Sequence, residues 1–183
     1  MAASSYLSLV ESRLKSGDHL CSFHETKMEQ AQLIFPFLKA GLAKREKCLY
    51  IADESTPEEI KAGLLMHGMG VQSHLRSGQL SILTVRQSYL RSGRFDPEAM
   101  ISFWASAVDE ALREGYSGLR ATGETSWILH EPRSLGDLLQ YEGRLNETVR
   151  NLPAKLLCQY NAKRFLADVI IKVLKAHPRF LLG

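Results

Sequence analysis

The chain is poor in cysteine, has no long apolar run, carries no block of basic residues and contains no glycine-rich phosphate loop. Each shortage removes a class of function. Its cysteines are Cys21, Cys48 and Cys158, an odd number set in apolar segments. They cannot close a disulfide framework, so a reducing, cytoplasmic location is expected. Apolar runs fall short of the ~20 residues that cross a bilayer, and the start "MAASSYLSLVESRLKSG" is too polar for a signal peptide. No membrane association is expected. The 23 Lys and Arg are dispersed among 20 Asp and Glu, giving a net charge of +3. Nucleic acid is therefore not expected as a direct partner.

What is present alternates. Apolar segments of strand length at 19–23, 47–54, 79–85, 118–127 and 154–161 are separated by amphipathic segments with helical spacing at 27–44, 55–70, 96–115, 134–151 and 165–177. A shorter helix is expected in "VQSHLRSG". The 55–70 helix opens with Ser/Thr, Pro57 and two glutamates, and the next long one opens with Asp96 and Pro97, both ordinary N-terminal signals. Pro36 is expected to kink the first helix. The pattern implies βαβ units: a single three-layer α/β domain over 17–183 with a mostly parallel central sheet, preceded by an N-terminal helix over 1–16.

In such a sheet ligands bind beyond the carboxyl ends of the strands. That rule selects "HLCSFHE", Asp53 and Glu54, "TGETSW" and "CQYN". Four chemistries compete there. His19, Cys21 and His24 could supply metal ligands, with Cys158 from another strand, and strand alternation places His19 and Cys21 on one face, but H-x-C-x-x-H is not an established zinc spacing. Cys21 or Cys158 as a nucleophile needs a lowered thiol pKa, for which no cationic partner can be assigned, and free cysteine is more often simply buried. A phosphate loop is contradicted by "FHETKMEQ", which has a lysine and a threonine but no glycine, and whose Glu25 would repel phosphate. A small-ligand pocket fits best, with Glu124 between a glycine and an aromatic, and Phe23, Trp127, Tyr160 and Trp104 available as apolar walls that otherwise belong to the core.

Taken in order, "GDHLCSF", "KCLYIADE", "RFDP", "GYSGLRATGETSW", "LLQYEGRLNE", "LLCQYNAKRF" and "HP" resemble the MEDS domain family, a sensory domain of methanogen and methylotroph proteins and of a dichloromethane-responsive regulator. The resemblance runs from about Gly17 to Pro178. It implies a fold distantly similar to RecA and KaiC but without their phosphate loop, recognition of small, hydrocarbon-like molecules, and association with histidine-kinase or DNA-binding output modules. His19 and Cys21 carry over from "GDHLC", Glu124 from "TGETSW", and Cys158 with Tyr160 from "CQY". His24 stands where the family often has an aromatic, and Asn161 where an aspartate is common.

The expectation is thus a non-enzymatic sensory domain. Its ligand would meet His19, Cys21, Glu124, Cys158 and Tyr160 as polar contacts and Phe23 and Trp127 as apolar wall. No cofactor and no metal is expected. Output is expected through a signalling partner, a histidine kinase or transcription regulator, unless the chain is part of something longer. Two alternatives stand beside it: a degenerate nucleotide-dependent or thiol-dependent enzyme, and a metal-bound module using His19 and Cys21. The faces with Leu138, Leu139 and Leu145, or Val169, Val173 and Leu174, suit either a homodimer or, preferably, the core.

Overall fold

The structure, a computed structural model, describes residues 11–131 and 135–182. Six strands form one all-parallel sheet in the order β3-β2-β4-β5-β1-β6. They are β1 Asp18–His24, β2 Lys47–Ala52, β3 Leu80–Thr84, β4 Leu119–Glu124, β5 Ala154–Asn161 and β6 Arg179–Leu182. The helices are α1 Lys27–Ala43, α2 Pro57–Met66, α3 Val71–Arg76, α4 Pro97–Arg113, α5 Leu135–Val149 and α6 Ala167–Ala176. Single 3₁₀ turns follow β3 (Val85–Gln87) and β4 (Ser126–His130). Of the helix expected over 1–16, Glu11–Arg13 are helical and residues 1–10 lie outside the described residues.

Two corrections to the sequence reading concern the ends of elements. β6 was not expected; it adds to β1 through Leu20↔Arg179 to Phe23↔Leu182. β2 stops at Ala52, leaving Asp53 and Glu54 beyond it in the loop to α2. Pro36 lies inside α1, which runs without a break from Lys27 to Ala43.

Strand alternation sorts the interior into two cores. One holds Leu20, Cys48, Tyr50, Leu80 and Leu157 under α1, α2 and α3. The other holds Cys21, Phe23, Ile51, Leu156, Cys158 and Tyr160 under α4, α5 and α6. Leu138, Leu145, Val169 and Val173 are buried in this second core, so both helical faces weighed for a dimer serve the sheet. The local signals explain the helix starts. Thr56 caps α2 with a reciprocal Thr56–Glu59 box, and Asp96 accepts from the Ala99 N–H at the start of α4.

At the amino edge of the sheet a buried Arg120 is held by Glu11 and Glu46 and lies 4.8 Å over the Phe37 ring. Gly41 makes this fit. A Cβ there would stand 2.6 Å from Arg120 Cδ and 2.8 Å from Cys48 Sγ, so any larger residue must displace the buried guanidinium.

Candidate functional site

The chain passes from β1 to β2 across β5 and β4, so α1 runs back along that face of the sheet with its first turns at the carboxyl ends of the strands. That route sets Gln30 above Glu124. The Glu124 carboxylate is 3% exposed and accepts four hydrogen bonds: at Oε1 from Tyr50 OH (2.7 Å) and Gln30 Nε2 (3.0 Å), and at Oε2 from the Asp53 (2.7 Å) and Ser55 (3.0 Å) N–H groups. Gln30 Nε2 also donates to Gln159 Oε1 (2.7 Å), and Gln159 Nε2 to Thr122 Oγ1 (2.8 Å). Glu124 therefore ties β4, β2, α1 and the loop into α2 together. Burial, followed by the adjacent Glu124 charge, pushes the Tyr50 hydroxyl well above its ordinary pKa.

Beside this knot, between α1 and α2, lies a cavity of about 230 Å³. Gln30 and Tyr50 form part of its wall, with Ile34, Phe35 and Ile60 as apolar surface. Lys27 and Ser55 also line it, and Lys27 Nζ donates to Ser55 Oγ at 2.5 Å. A cavity of about 150 Å³ is enough for benzene, so a compact molecule of that class fits.

The nearby β1–α1 connection consists of Glu25 and Thr26 alone. Thr26 Oγ1 accepts from the Glu29 N–H (3.2 Å), while Glu29 Oε2 accepts from the N–H groups of Glu25 (2.7 Å) and Thr26 (3.3 Å). A carboxylate of the chain itself thus takes donors that a phosphate-binding turn would offer its ligand.

The second polar centre is on the opposite face of the sheet, within the core under α4, α5 and α6. His19 Nε2 lies 3.3 Å from Cys158 Sγ and 3.2 Å from Glu142 Oε2. His177 Nε2 stands 3.4 Å from the same Glu142 oxygen without making a hydrogen bond to it. Cys158 Sγ is 3.7 Å from Glu142 Oε2, and Tyr160 OH donates to Glu142 Oε1 at 2.8 Å. Burial would drive the Glu142 carboxyl up, but His177 and His19 hold it well below the usual carboxylate range. Burial likewise opposes charge on His177, and the Glu142 carboxylate overcomes it and raises the imidazole well above its ordinary value. Burial, with Glu142 adding to it, pushes the Cys158 thiol up to about 12.

None of the seven residues selected from sequence exceeds 6% exposure. His19 and Cys158 meet directly. Cys21 is beside them, its thiol 3.9 Å from the Arg179 carbonyl. Phe23 stacks on Tyr160 at 5.7 Å between ring centres. Trp127 packs between Tyr89 and Phe95, each 5.0 Å away, with its indole N–H unpartnered. Trp104, weighed as a wall, is core and donates to Tyr141 OH. Glu124 is parted from the other six by the sheet. The register shows why: Glu124 pairs with Gln159, whose neighbours Cys158 and Tyr160 point to the opposite side. Sequence reasoning did not select Gln30, Tyr50 and Ser55 around Glu124, nor Glu142 and His177 around His19.

A family model for the MEthanogen/methylotroph, DcmR Sensory domain matches residues 18–178. The chain belongs to this MEDS family. It is 24% identical over 161 residues to the transcriptional repressor DcmR of Methylorubrum extorquens, a match covering 87% of this chain and 58% of that protein. Among solved structures, a KaiC-like protein of Pyrococcus horikoshii aligns with a TM-score of 0.63 at 11% identity, over 92% of this chain and 72% of that one. The likeness is one of fold, and it agrees with the RecA/KaiC-like architecture expected from sequence. No helix among the described residues is long and apolar enough to cross a membrane.

Proposed function

We propose that this MEDS domain is a non-enzymatic sensor whose effector occupies the cavity between α1 and α2. The effector class that suits the cavity is a compact, mainly apolar molecule with one polar atom. Its body would rest on Ile34, Phe35 and Ile60, and its polar atom would face Lys27 and Ser55. The observation that carries this reading is the attachment of the cavity wall to Glu124. The same carboxylate holds Tyr50 and Gln30 on one oxygen and the loop into α2 on the other. A molecule pressing on that wall changes the position of the loop and α2, and a signalling partner, a kinase or transcription regulator, reads the altered surface. The self-capped β1–α1 turn supports binding rather than nucleotide chemistry.

This reading moves the ligand across the sheet from six of the seven contacts proposed on sequence grounds, and of that set keeps Glu124 as support for the wall. The test is a thermal-shift screen of the full chain against haloalkanes, short alcohols and small aromatics. At a hundredfold excess over Kd a true effector adds about 2.7 kcal/mol, or about 5–10 °C for a chain of this size. Ala31→Leu, which fills the cavity, should abolish the shift, and Lys27→Ala should reduce it for ligands with a polar atom. A screen without any shift, or one unaffected by Ala31→Leu, defeats the proposal.

A further inference from the structure

The centre around Glu142 is not used by this sensor reading, and its geometry calls for an explanation of its own. Its tautomers are fixed from outside. Asn146 Nδ2 donates to the Ala176 carbonyl, which leaves Asn146 Oδ1 to accept from His19 Nδ1 at 2.8 Å. His177 Nδ1 donates to the Val173 carbonyl at 2.9 Å. Both imidazoles therefore carry a proton on Nδ1 and turn Nε2 inward. Glu142 Oε1 is occupied by Tyr160 OH, so Oε2 is the oxygen that faces the two rings. His177 Nε2 is buried without a hydrogen-bond partner.

Four ligand atoms thus converge: His19 Nε2, His177 Nε2, Glu142 Oε2 and Cys158 Sγ, all within 4.8 Å of one another. Ligands bonded to zinc at about 2.0–2.3 Å stand about 3.3–3.8 Å apart at the corners of a tetrahedron. Four of the six separations between these atoms, 3.2, 3.3, 3.4 and 3.7 Å, follow that scale, and the two that involve His177 with His19 and with Cys158 lie within 4.8 Å. We propose that His19, Glu142, Cys158 and His177 form a buried, four-ligand site for a borderline divalent transition metal, zinc foremost.

The charge balance agrees. A dication with one carboxylate, one thiolate and two neutral imidazoles is neutral overall, which is the form a buried core tolerates. Binding expels the Cys158 thiol proton and whatever proton His177 Nε2 carries, and no electron is transferred. Asn146, the Val173 carbonyl and Tyr160 are the outer partners that orient metal ligands elsewhere. With four protein ligands the site is closed, so its work is to hold structure. It joins β1, α5 and β5 to His177 at the turn from α6 into β6, and so seats the edge strand on β1. This departs from the sequence expectation of no metal, which weighed His19, Cys21 and His24 with Cys158 and did not include Glu142 or His177. It is independent of the effector proposal, since the cavity lies across the sheet, and either can fail alone.

The experiment uses the full wild-type chain purified from zinc-supplemented cells. About one equivalent of zinc should survive exhaustive dialysis, and X-ray absorption should find one sulfur at about 2.3 Å with three nitrogen or oxygen neighbours at about 2.0–2.1 Å. Replacing zinc by cobalt(II) should produce a thiolate charge-transfer band and tetrahedral ligand-field bands. Cys158→Ser should lose the charge-transfer band, while Cys21→Ser and Cys48→Ser retain it. If Cys158→Ser does not fold, retention in the other two assigns the sulfur by elimination. Chelation should lower the thermal midpoint by ~5 °C or more and speed amide exchange in Phe180–Leu182. The proposal is overturned by wild-type protein that binds no metal even when refolded with zinc. An all-oxygen and nitrogen shell overturns it too, as does a charge-transfer band lost in Cys21→Ser or Cys48→Ser.

Discussion

Glu124 and Glu142 are both buried carboxylates, one on each face of the same sheet, yet their surroundings teach opposite lessons. Glu124 is saturated by neutral donors, two side chains and two backbone N–H groups. A charge met in this way is a structural joint, and its donors have no further partner to seek. Glu142 is met by two imidazoles, a thiol and one phenol. Two of those groups face it with nitrogen atoms whose other ring positions are already used. The first arrangement is complete as a set of hydrogen bonds; the second is completed by a cation.

The largest test of this contrast is a pair of matched substitutions in chelated protein. Glu142→Gln removes the only carboxylate facing His177 among the described residues and leaves a buried ring to be discharged, at a cost of about 3–5 kcal/mol. Glu124→Gln keeps one acceptor but turns an amide donor toward existing donors, costing about 2–3 kcal/mol. Urea unfolding measures both. Should Glu124→Gln prove the costlier, the picture of Glu124 as a neutral-donor joint and Glu142 as a charged centre is wrong.

A pair of tyrosines sharpens the comparison at smaller scale. Tyr50→Phe and Tyr160→Phe each delete a hydroxyl bonded to one of the two carboxylates, and each should cost about 1–2 kcal/mol. Their effects on zinc should differ. Tyr160→Phe frees Glu142 Oε1 and should weaken affinity about 10–100-fold in a competition titration, whereas Tyr50→Phe should leave it unchanged. Equal effects would mean that the two faces are coupled through the sheet.

Much of the frame was legible in sequence because α/β alternation, strand length and helix caps are local signals. Thr56, Asp96 and the turn at Gly115, which has φ +85°, need no tertiary information. β6 escaped because "RFLL" is a short edge strand with only Leu181 buried, so it shows no buried face to read. The two centres were half legible. His19 and Cys158 stand out by residue type, but Glu142 looks like part of a polar helix face. Its signal was positional: Leu138, Glu142, Leu145 and Val149 follow helical spacing along the buried stripe of α5, and an acid in that stripe needs a partner. His177 lies beyond the last helix, and only the return of the chain beside β1 brings it to His19, with ring centres 4.4 Å apart. Gln30 has the same kind of signal, a polar residue in line with Ile34, Leu38 and Gly41 on the buried side of α1. Grouping Glu124 with Cys158 failed for want of the β4–β5 register alone.

The smallest effect expected is also the one that tests the Glu124 side without disturbing its hydrogen bonds. Asp53 stands in the loop whose backbone N–H binds Glu124. Burial, then the charges of Glu124 and Glu54, raise its carboxyl to about 6. In the unfolded chain it titrates near 3.9, so between these values the folded state binds more protons and stability falls as pH rises. The contribution is fully present below about pH 4 and is lost by the time the pH has passed about 6. Asp53→Asn keeps an acceptor for the Trp127 backbone N–H and removes the titration. The variant should therefore be the more stable at pH 7, by ~1 kcal/mol once solvent screening of this partly exposed group is allowed for, and the two should converge near pH 4. Glu124→Gln should move the wild-type inflection downward, because the second-largest cause of the shift is gone. An Asp53→Asn profile that parallels the wild type from pH 4 to 7 would mean that Glu124 does not impose its charge on the loop, and that the loop is held to it by geometry alone.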